Sequence, residues 1–300
     1  MDKPSESRGM ALAFVGVLMF GATLPATRLA LEGFDPGFVA LARAELAALL
    51  AGLALWIARA PLPAREHWRA LMITAAGVVL GFPLFSSIAM RTSDASHGAV
   101  VNGLLPFATA LAAMWRAHER PSPGFWVAAA SGSALVVAFA LNAGGGTLRA
   151  GDWAMLAAVA AGAIGYAEGG RLAARLGGWQ TIAWALVAAA PWLLAPALWS
   201  AARQPFAHAG ARAWGGLAYV AVVSQFLGFL FWYGGMAIGG VARVSQVQLL
   251  QLFVTLAIAA ALMGEAVAPG TWAVAAAVVA LVAAGRRAPV RRTSIPGDAR

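Results

Sequence analysis

The sequence consists mostly of long apolar runs separated by short polar segments. Ten of these runs are long enough to cross about 30 Å of hydrocarbon as helices. They cover, to within a few residues at each end, 9–31, 36–58, 67–90, 95–115, 123–141, 153–174, 179–200, 213–236, 241–263 and 268–285. Because open strands would leave backbone groups unpaired in lipid, the pattern predicts an all-α membrane protein with ten transmembrane helices.

One part of this pattern occurs twice, at an offset of 146 residues. The motif Glu-x3-Pro-Gly-x-Trp begins at Glu119 and again at Glu265, and Phe253 matches Phe107 at the same offset. Each copy closes one apolar run and opens the next, so the repeated unit is a pair of helices. The sequence therefore predicts an internal duplication.

A glycine-rich loop, 142–151, divides the ten runs into two sets of five. Five is odd, so the second set enters the membrane from the opposite face, and the two repeats are predicted to be inverted. Residues 9–141 form the first five-helix repeat, 152–285 form the second, and 286–300 form a basic tail. Inverted repeats are typical of transporters that work by alternating access, with the substrate site near the midplane between the repeats.

The composition excludes a soluble globule, because hydrophobic residues make up 61% of the chain and charged residues 11%. The mean hydropathy is +0.76. The chain has no cysteine, which excludes disulfides and thiolate metal sites.

The net charge of +9 is explained by topology rather than by nucleic acid. Fifteen of the 21 lysines and arginines lie on the side of the N-terminus, and four lie on the other side. Positive charge accumulates on the cytoplasmic side of membrane proteins, so both termini are predicted to be cytoplasmic. The basic tail is expected to contact acidic lipid.

Amides form the first group of candidate substrate-binding residues. Gln246, Gln248 and Gln251 crowd the ninth run, and Asn102 matches Gln248 in the duplication. Amides can both donate and accept hydrogen bonds, which suits a zwitterionic substrate. Hydrogen bonding between helices is the alternative role, and at least one of the three glutamines is expected to be structural.

Aromatic residues form the second group, and Phe82, Tyr166 and Trp232 are the candidates for a pocket. Their rings would hold an apolar or aromatic side chain by stacking and burial, although most membrane aromatics fill packing gaps or lie at interfaces. Phe82 also lies in a Gly-Phe-Pro break that is expected to kink the third helix. Pro25 and Pro106 are candidate hinges.

Charged residues inside the spans are candidates for gating or coupling, because each costs about 2.5–3.5 kcal/mol at the centre of a membrane helix. Arg43 and Glu45 are two residues apart and so point to different faces of the second helix. Glu168 can pair with Arg171 on one face of the sixth helix, and this spacing favours a structural role. His97, at the start of the fourth helix, can titrate near neutral pH or simply be solvated.

Small residues at a spacing of four predict close contacts between helices. They are Gly77 with Gly81, Gly165 with Gly169, and Gly235 with Gly239.

Several of these features together resemble the EamA-type drug/metabolite transporter superfamily, over about residues 9–285. They are the two five-helix halves, Gly21–Arg28 leading into 31–36, Arg43, Pro106 and the twin Glu119 and Glu265. Within that superfamily the chain looks most like the bacterial aromatic amino-acid exporters. This resemblance implies a ten-helix bundle of the inner membrane that moves small metabolites out of the cytoplasm. Where the ninth helix often carries Glu-Pro, this chain has Gln251-Leu252, so a proton-carrying carboxylate is missing there.

The leading hypothesis is a secondary transporter that exports apolar amino acids, with no cofactor and no metal. The same fold with another metabolite or a cationic drug as cargo is the alternative. An intramembrane enzyme is disfavoured, because the sequence lacks a His-Glu-x-x-His motif, a thiol and a Gly-x-Ser-x-Gly motif. The expected partners are the substrate and membrane lipid, not nucleic acid, and the expected state is a monomer or weak homodimer.

Overall fold

The structure, a computed structural model, describes residues 3–117, 119–120, 123–143, 147–285 and 291–292. Fifteen α-helices make up nearly all of it. They are α1 (Lys3–Gly21), α2 (Thr23–Ala30), α3 (Pro36–Ile57), α4 (Trp68–Thr74), α5 (Phe82–Met90), α6 (Ala95–Asn102), α7 (Leu105–Ala117), α8 (Pro123–Ala143), α9 (Ala150–Leu176), α10 (Gly178–Ala201), α11 (Ala211–Ala218), α12 (Gly228–Gly239), α13 (Val241–Val244), α14 (Leu249–Met263) and α15 (Pro269–Gly285). Strands β1 (Glu119–Arg120) and β2 (Arg291–Arg292) form one short antiparallel pair, so these two residues of the basic tail contact the loop before α8.

Three 3₁₀ turns and two π-helical segments connect these helices. The 3₁₀ turns are Arg65–His67, Phe206–His208 and Ser245–Gln248, and the π-helical segments are Ala75–Gly81 and Tyr219–Leu227. Each π-helical segment joins two α-helices into one continuous span.

Seven helical stretches in the described residues are long and apolar enough to cross a membrane, judged by length and composition. They are Ser7–Ala30, Pro36–Ile57, Arg65–Met90, Ala95–Trp115, Ala150–Leu176, Gly178–Ala201 and Ala211–Gly239. Three shorter apolar stretches, Ala130–Phe139, Leu249–Met263 and Pro269–Leu281, lie in the regions of the other three predicted spans. The membrane-helical fold is confirmed, while the number of ten spans stays a prediction.

The ninth predicted span is shorter as a regular helix because its first part is irregular. The chain turns at Gly240, where φ is +82°, and passes through α13 and the 3₁₀ turn before α14 begins at Leu249. A glycine is required at this turn because a positive φ places a Cβ too close to the backbone. The 15 residues of α14 rise only about 22 Å.

The two parts of the chain on either side of the loop 142–151 pack closely through glycines. A Cβ added at Gly77 would lie 2.6 Å from the carbonyl oxygen of Ala161 and 2.7 Å from Cα of Gly165. One added at Gly235, on α12, would lie 2.6 Å from the carbonyl oxygen of Gly9 on α1. The close helix approaches predicted from the glycine spacing are therefore confirmed at these positions.

The duplicated motif makes the same ring contact in both copies. Phe107 packs against Trp126 with ring centroids 6.2 Å apart, and Phe253 packs against Trp272 with centroids 6.4 Å apart. Phe107 and Phe253 lie near the starts of α7 and α14, so each contact joins two successive helices.

Large apolar side chains cover the outside of the helix bundle. Leu49, Trp56, Trp115 and Trp192 are each at least 70% exposed. In water such a surface would drive association, whereas lipid solvates it.

Candidate functional site

A central cavity lies between the two parts of the chain. Six of its twelve lining residues precede the loop 142–151 and six follow it. The first six are Phe20, Thr23, Leu24, Arg43, Val78 and Phe82, and the second six are Tyr166, Ser224, Gln225, Phe229, Gln248 and Gln251. Both parts of the chain thus contribute equally to the lining of the cavity.

The cavity is constricted. Its volume is about 20 Å³, which is room for about one water molecule. Ordinary small-molecule sites measure about 300–1,000 Å³. A metabolite can therefore enter only if the surrounding helices separate or their side chains rotate.

A break in the first span forms one wall of this cavity. Helix α1 ends at Gly21, and α2 begins at Thr23 after a single non-helical residue. Pro25 has no N–H to donate to the carbonyl of Gly21, four residues earlier, so this carbonyl needs another partner. Thr255 of α14 supplies it, with a hydroxyl that donates to the Gly21 oxygen at 2.8 Å.

Gln251 hydrogen-bonds to the backbone at the same break, one residue before Gly21. Its amide nitrogen donates to the carbonyl oxygen of Phe20 at 3.3 Å. Side chains of α14 thus hold the interrupted backbone of the first span in the membrane interior, where water cannot.

The two π-helical segments form two further walls of the cavity and contact each other. Gln225, in the second segment, donates from Nε2 to the carbonyl oxygen of Val78, in the first, at 2.9 Å. The hydroxyls of Thr23 and Ser224 lie 2.8 Å apart and hydrogen-bond. A π-helical turn leaves some backbone carbonyls without a helical partner and is frequent at functional sites.

Arg43 projects from α3 into the cavity and is 1% exposed. Its Nη2 donates to the Ser224 hydroxyl at 3.1 Å. Its Nε and Nη1 have no hydrogen-bond partner among the described residues. No aspartate or glutamate lines the cavity with it.

A chain of weak hydrogen bonds links the polar residues on the other side. Gln248 donates from Nε2 to the hydroxyl of Tyr166 at 3.4 Å and to Oε1 of Gln251 at 3.3 Å. The Oε1 atoms of Gln248 and Gln225 are buried and have no partner in the part of the chain that the structure describes. The cavity therefore presents both unpaired donors and unpaired acceptors.

Four aromatic rings pack together beside these polar groups. The ring of Phe20 lies 5.0 Å from Phe229, and that of Tyr166 lies 5.8 Å from Phe229. Trp232 contacts Phe20 at 6.1 Å and Tyr166 at 5.4 Å, measured between centroids, but is not among the lining residues. Trp232 therefore packs against two rings of the cavity wall without lining the cavity itself.

Of the predicted substrate-binding residues, the structure brings four to the cavity: Phe82, Tyr166, Gln248 and Gln251. Asn102 is buried at the end of α6 but does not line the cavity. The side chain of Gln246 lies outside the described residues.

The predicted gating residues lie apart from one another. Glu45 is partly exposed and, unlike Arg43, does not line the cavity. Arg171 donates to Glu168, which confirms the pairing that their spacing predicted.

His97, for which the sequence left titration and simple solvation open, contacts other helices in the structure. Its Nε2 lies 2.6 Å from Oδ1 of Asp152, which is 2% exposed, and its ring stacks on Phe139. The other Asp152 oxygen accepts from the backbone N–H of Arg149 at 2.9 Å and caps the first turn of α9. His97 is thus a contact between α6 and α9, away from the cavity.

Both candidate hinge prolines lie in the first turn after a break in a span. Pro25 follows the break at Ala22, and Pro106 follows a turn at Gly103 and Leu104. This is the position where a missing N–H disturbs a helix least.

An ion-pair cluster lies at one end of the bundle. Arg28 contacts both Asp94 and Glu265, the second at 2.8 Å. Glu265 also accepts from the backbone N–H groups of Ala95 at 2.9 Å and Ser96 at 3.0 Å. A carboxylate is favoured at this position because the N-terminus of a helix carries partial positive charge. The cluster joins α2, α6 and the segment after α14.

Seven of the twelve residues that line the cavity are not among the candidates predicted from the sequence. Thr23, Ser224 and Gln225 were not singled out, although polar residues inside an apolar run are a usable signal. Phe20 matches Tyr166 at the offset of 146, so the duplication could have identified it. In the described residues, no group of three or more His, Asp or Glu side chains is placed to hold a metal ion.

Comparison with known proteins places this architecture in a family. Residues 7–140 and again 149–284 match the EamA-like transporter family. The chain is 45% identical over 281 residues, 94% of its length, to the "Uncharacterized transporter YdeK" of Bacillus subtilis (strain 168), of which the match covers 98%. A solved crystal structure superimposes with a TM-score of 0.69 at 19% identity and covers 93% of this chain and 98% of that one, which shows that the fold is shared.

These matches confirm the resemblance seen in the sequence, and they identify the activity as transport rather than catalysis. The chain belongs to the EamA-like transporter family, as a multi-pass membrane protein.

Proposed function

We propose that this protein is a secondary transporter that exports aromatic and other apolar amino acids through the central cavity. The observation that carries the proposal is the composition of the cavity wall. Phe20, Phe82 and Phe229 offer ring surface to an apolar side chain, and the unpaired oxygens of Gln225 and Gln248 can accept from an ammonium group.

Transport is proposed to occur by alternating access between two inverted five-helix repeats, with ten spans in all. The equal contribution of the two parts of the chain to the cavity supports this arrangement. An offset of 146 also carries the π-helical segment 75–81 onto residues 221–227, which lie inside the second π-helical segment. Each repeat thus has an irregular span beside the cavity.

The proposed location is the bacterial inner membrane with both termini in the cytoplasm. The distribution of lysine and arginine supports the orientation. The export direction and the preference for aromatic amino acids rest on the resemblance to bacterial exporters.

A cationic drug is the weaker alternative cargo. A buried cation at a membrane site is normally paired with a carboxylate. The residues that line the cavity include an arginine and no acidic side chain, and Glu45 and Glu168 lie outside the lining. The charge of the wall therefore opposes a cationic cargo.

Uptake by the purified full-length protein in liposomes tests the proposal. Labelled phenylalanine, tryptophan, threonine and lysine would be offered with and without a pH gradient, and empty liposomes would be the control. We expect saturable uptake of the apolar amino acids and exclusion of lysine. Uptake of lysine at the rate of phenylalanine, or no uptake of any amino acid by folded protein, would contradict the proposal.

A further inference from the structure

The buried guanidinium of Arg43 has more hydrogen-bonding capacity than the protein uses. Arginine stays protonated in proteins and carries five N–H donors. Here Nη2 donates to the neutral hydroxyl of Ser224, and Nε and Nη1 have no partner among the described residues. An unpaired buried charge is costly, so such charges are normally paired.

The cavity wall supplies no counter-charge. Tyr166, Gln248 and Gln251 are neutral, and the nearest acid along α3, Glu45, does not line the cavity. A single negative charge arriving in the cavity would therefore neutralise Arg43. A doubly charged phosphate would exceed the one positive charge present.

We infer that Arg43 is the receptor for a carboxylate group of the cargo, so that the cavity takes apolar monocarboxylates whether or not they carry an ammonium group. The planar guanidinium matches a carboxylate through two parallel N–H donors. Nη2 carries two N–H groups and donates one to Ser224, so its second N–H can form such a pair with the free donor of Nε or of Nη1. The amides of Gln225 and Gln248 then contribute to the binding of amino acids but are not required for acids that lack nitrogen. The inference rests on the proposed function only in placing the cargo in the central cavity.

The inference separates four ligands that share a phenyl ring. Phenylalanine and 3-phenylpropionate carry the carboxylate, whereas phenethylamine and phenylalaninamide carry only the amine. Ligands that bind the folded state raise its unfolding temperature. In detergent, we expect the two carboxylates to raise that temperature for the wild-type protein in a saturable way, and the two amines to leave it unchanged.

Arg43→Met tests the assignment to this side chain. The substitution removes a buried unpaired charge and keeps an unbranched apolar chain, so we expect the unliganded protein to be at least as stable as wild type. We expect the apparent affinity for both carboxylates to fall by about 30-fold or more, since removing one partner of a buried charge pair costs 2 kcal/mol or more. Arg203→Met is the matched control, because Arg203 is exposed and stacks on Trp199.

Four results would overturn the inference. The first is that phenethylamine stabilises the wild type as much as phenylpropionate does, and the second is that chloride or phosphate does so. The third is that Arg43→Met keeps its affinity for carboxylates, and the fourth is that neither carboxylate stabilises the wild type. The first, second and fourth are read on the wild type alone, so they stand even if the variant fails to fold.

The outcomes also separate this inference from the proposed function. If phenylpropionate binds and phenylalanine does not, the amino-acid proposal fails and the role of Arg43 stands. If phenylalanine is transported equally by the wild type and Arg43→Met, the role of Arg43 fails and the amino-acid proposal stands.

Discussion

The residues around the central cavity combine good packing with incomplete hydrogen bonding. Trp232 and Tyr233 beside it are fully buried, and Arg43, Gln225, Gln248 and Trp232 each keep a polar atom without a partner among the described residues. A buried polar atom without a partner costs about 1–3 kcal/mol. Arg43, Gln225 and Gln248 line the cavity, and under the proposed function they are the polar side chains that meet the cargo.

Gln248→Leu is expected to weaken transport without weakening the fold. The amide makes only two long hydrogen bonds, at 3.4 and 3.3 Å, and leaves its oxygen unpaired. Loss of one hydrogen bond to the ammonium group of the cargo corresponds to about a 10- to 150-fold rise in KM. The measurement is phenylalanine uptake as a function of concentration.

Gln180→Leu is the control for this variant, because Gln180 is a glutamine of α10 that does not line the cavity. An equal effect of both substitutions would mean that Gln248 does not contact the cargo.

Interrupted helices are the main feature at the level of elements. Four of the seven long helical stretches in the described residues contain a break or a π-helical segment. In the first, third and seventh of these stretches, the interruption lies at the cavity. Each interruption leaves backbone groups that lipid cannot satisfy, so a side chain from another helix must do so. These cross-helix bonds determine how the two parts of the chain fit together.

Thr255→Val tests whether a side chain from another helix stabilises the break in the first span. The substitution removes the hydroxyl that donates to the Gly21 carbonyl and keeps the shape of the side chain. We expect a loss of about 1 kcal/mol in unfolding free energy, since the carbonyl then has no donor. Thermal or denaturant unfolding in detergent measures it.

Thr109→Val is the matched control at the corresponding position of the duplication. The Thr109 hydroxyl donates to the Leu105 carbonyl of its own helix at 2.7 Å, so its loss is expected to have little effect. Equal destabilisation by both variants would contradict the role given to Thr255.

Gly77→Ala is expected to destabilise the protein by about 1–3 kcal/mol. The new methyl group would meet backbone atoms of Ala161 and Gly165 at 2.6–2.7 Å, so the two helices must move apart. Gly52→Ala provides the comparison, because its nearest neighbour is a Val187 methyl at 3.8 Å. The second variant is expected to be neutral or slightly stabilising, and the reverse order in unfolding temperature would contradict this packing.

At the scale of the whole molecule, the sequence predicts the helical membrane fold, the close glycine contacts and five cavity residues, of which Arg43 was predicted for gating or coupling. Apolar runs determine helices in lipid because no other structure satisfies the backbone there. Phe82, Tyr166, Gln248 and Gln251 could be found because polar or aromatic groups at mid-span are costly or distinctive.

The remaining features depend on contacts that the sequence pattern does not reveal. The π-helical segments occur in runs that look uniformly apolar, and the contact between Gln225 and Val78 joins residues 147 positions apart. The contact of His97 with Asp152 likewise joins residues 55 positions apart. Pairing across the bundle, rather than local pattern, decides these roles.

If the central cavity is the transport path, it opens in turn to each side of the membrane. The chain contains no cysteine, so a single introduced thiol reports on one position. Leu24→Cys places a thiol in the cavity wall, where Leu24 is 1% exposed. Leu71→Cys is the control, because Leu71 is fully buried and does not line the cavity.

The decisive measurement is the rate at which a membrane-impermeant maleimide labels L24C in vesicles of each orientation. If the cavity is the transport path, we expect labelling of L24C from both sides and slower labelling in the presence of phenylalanine. We expect no labelling of L71C from either side. Labelling of L24C no faster than L71C, or from one side only with no effect of phenylalanine, would contradict this role of the cavity.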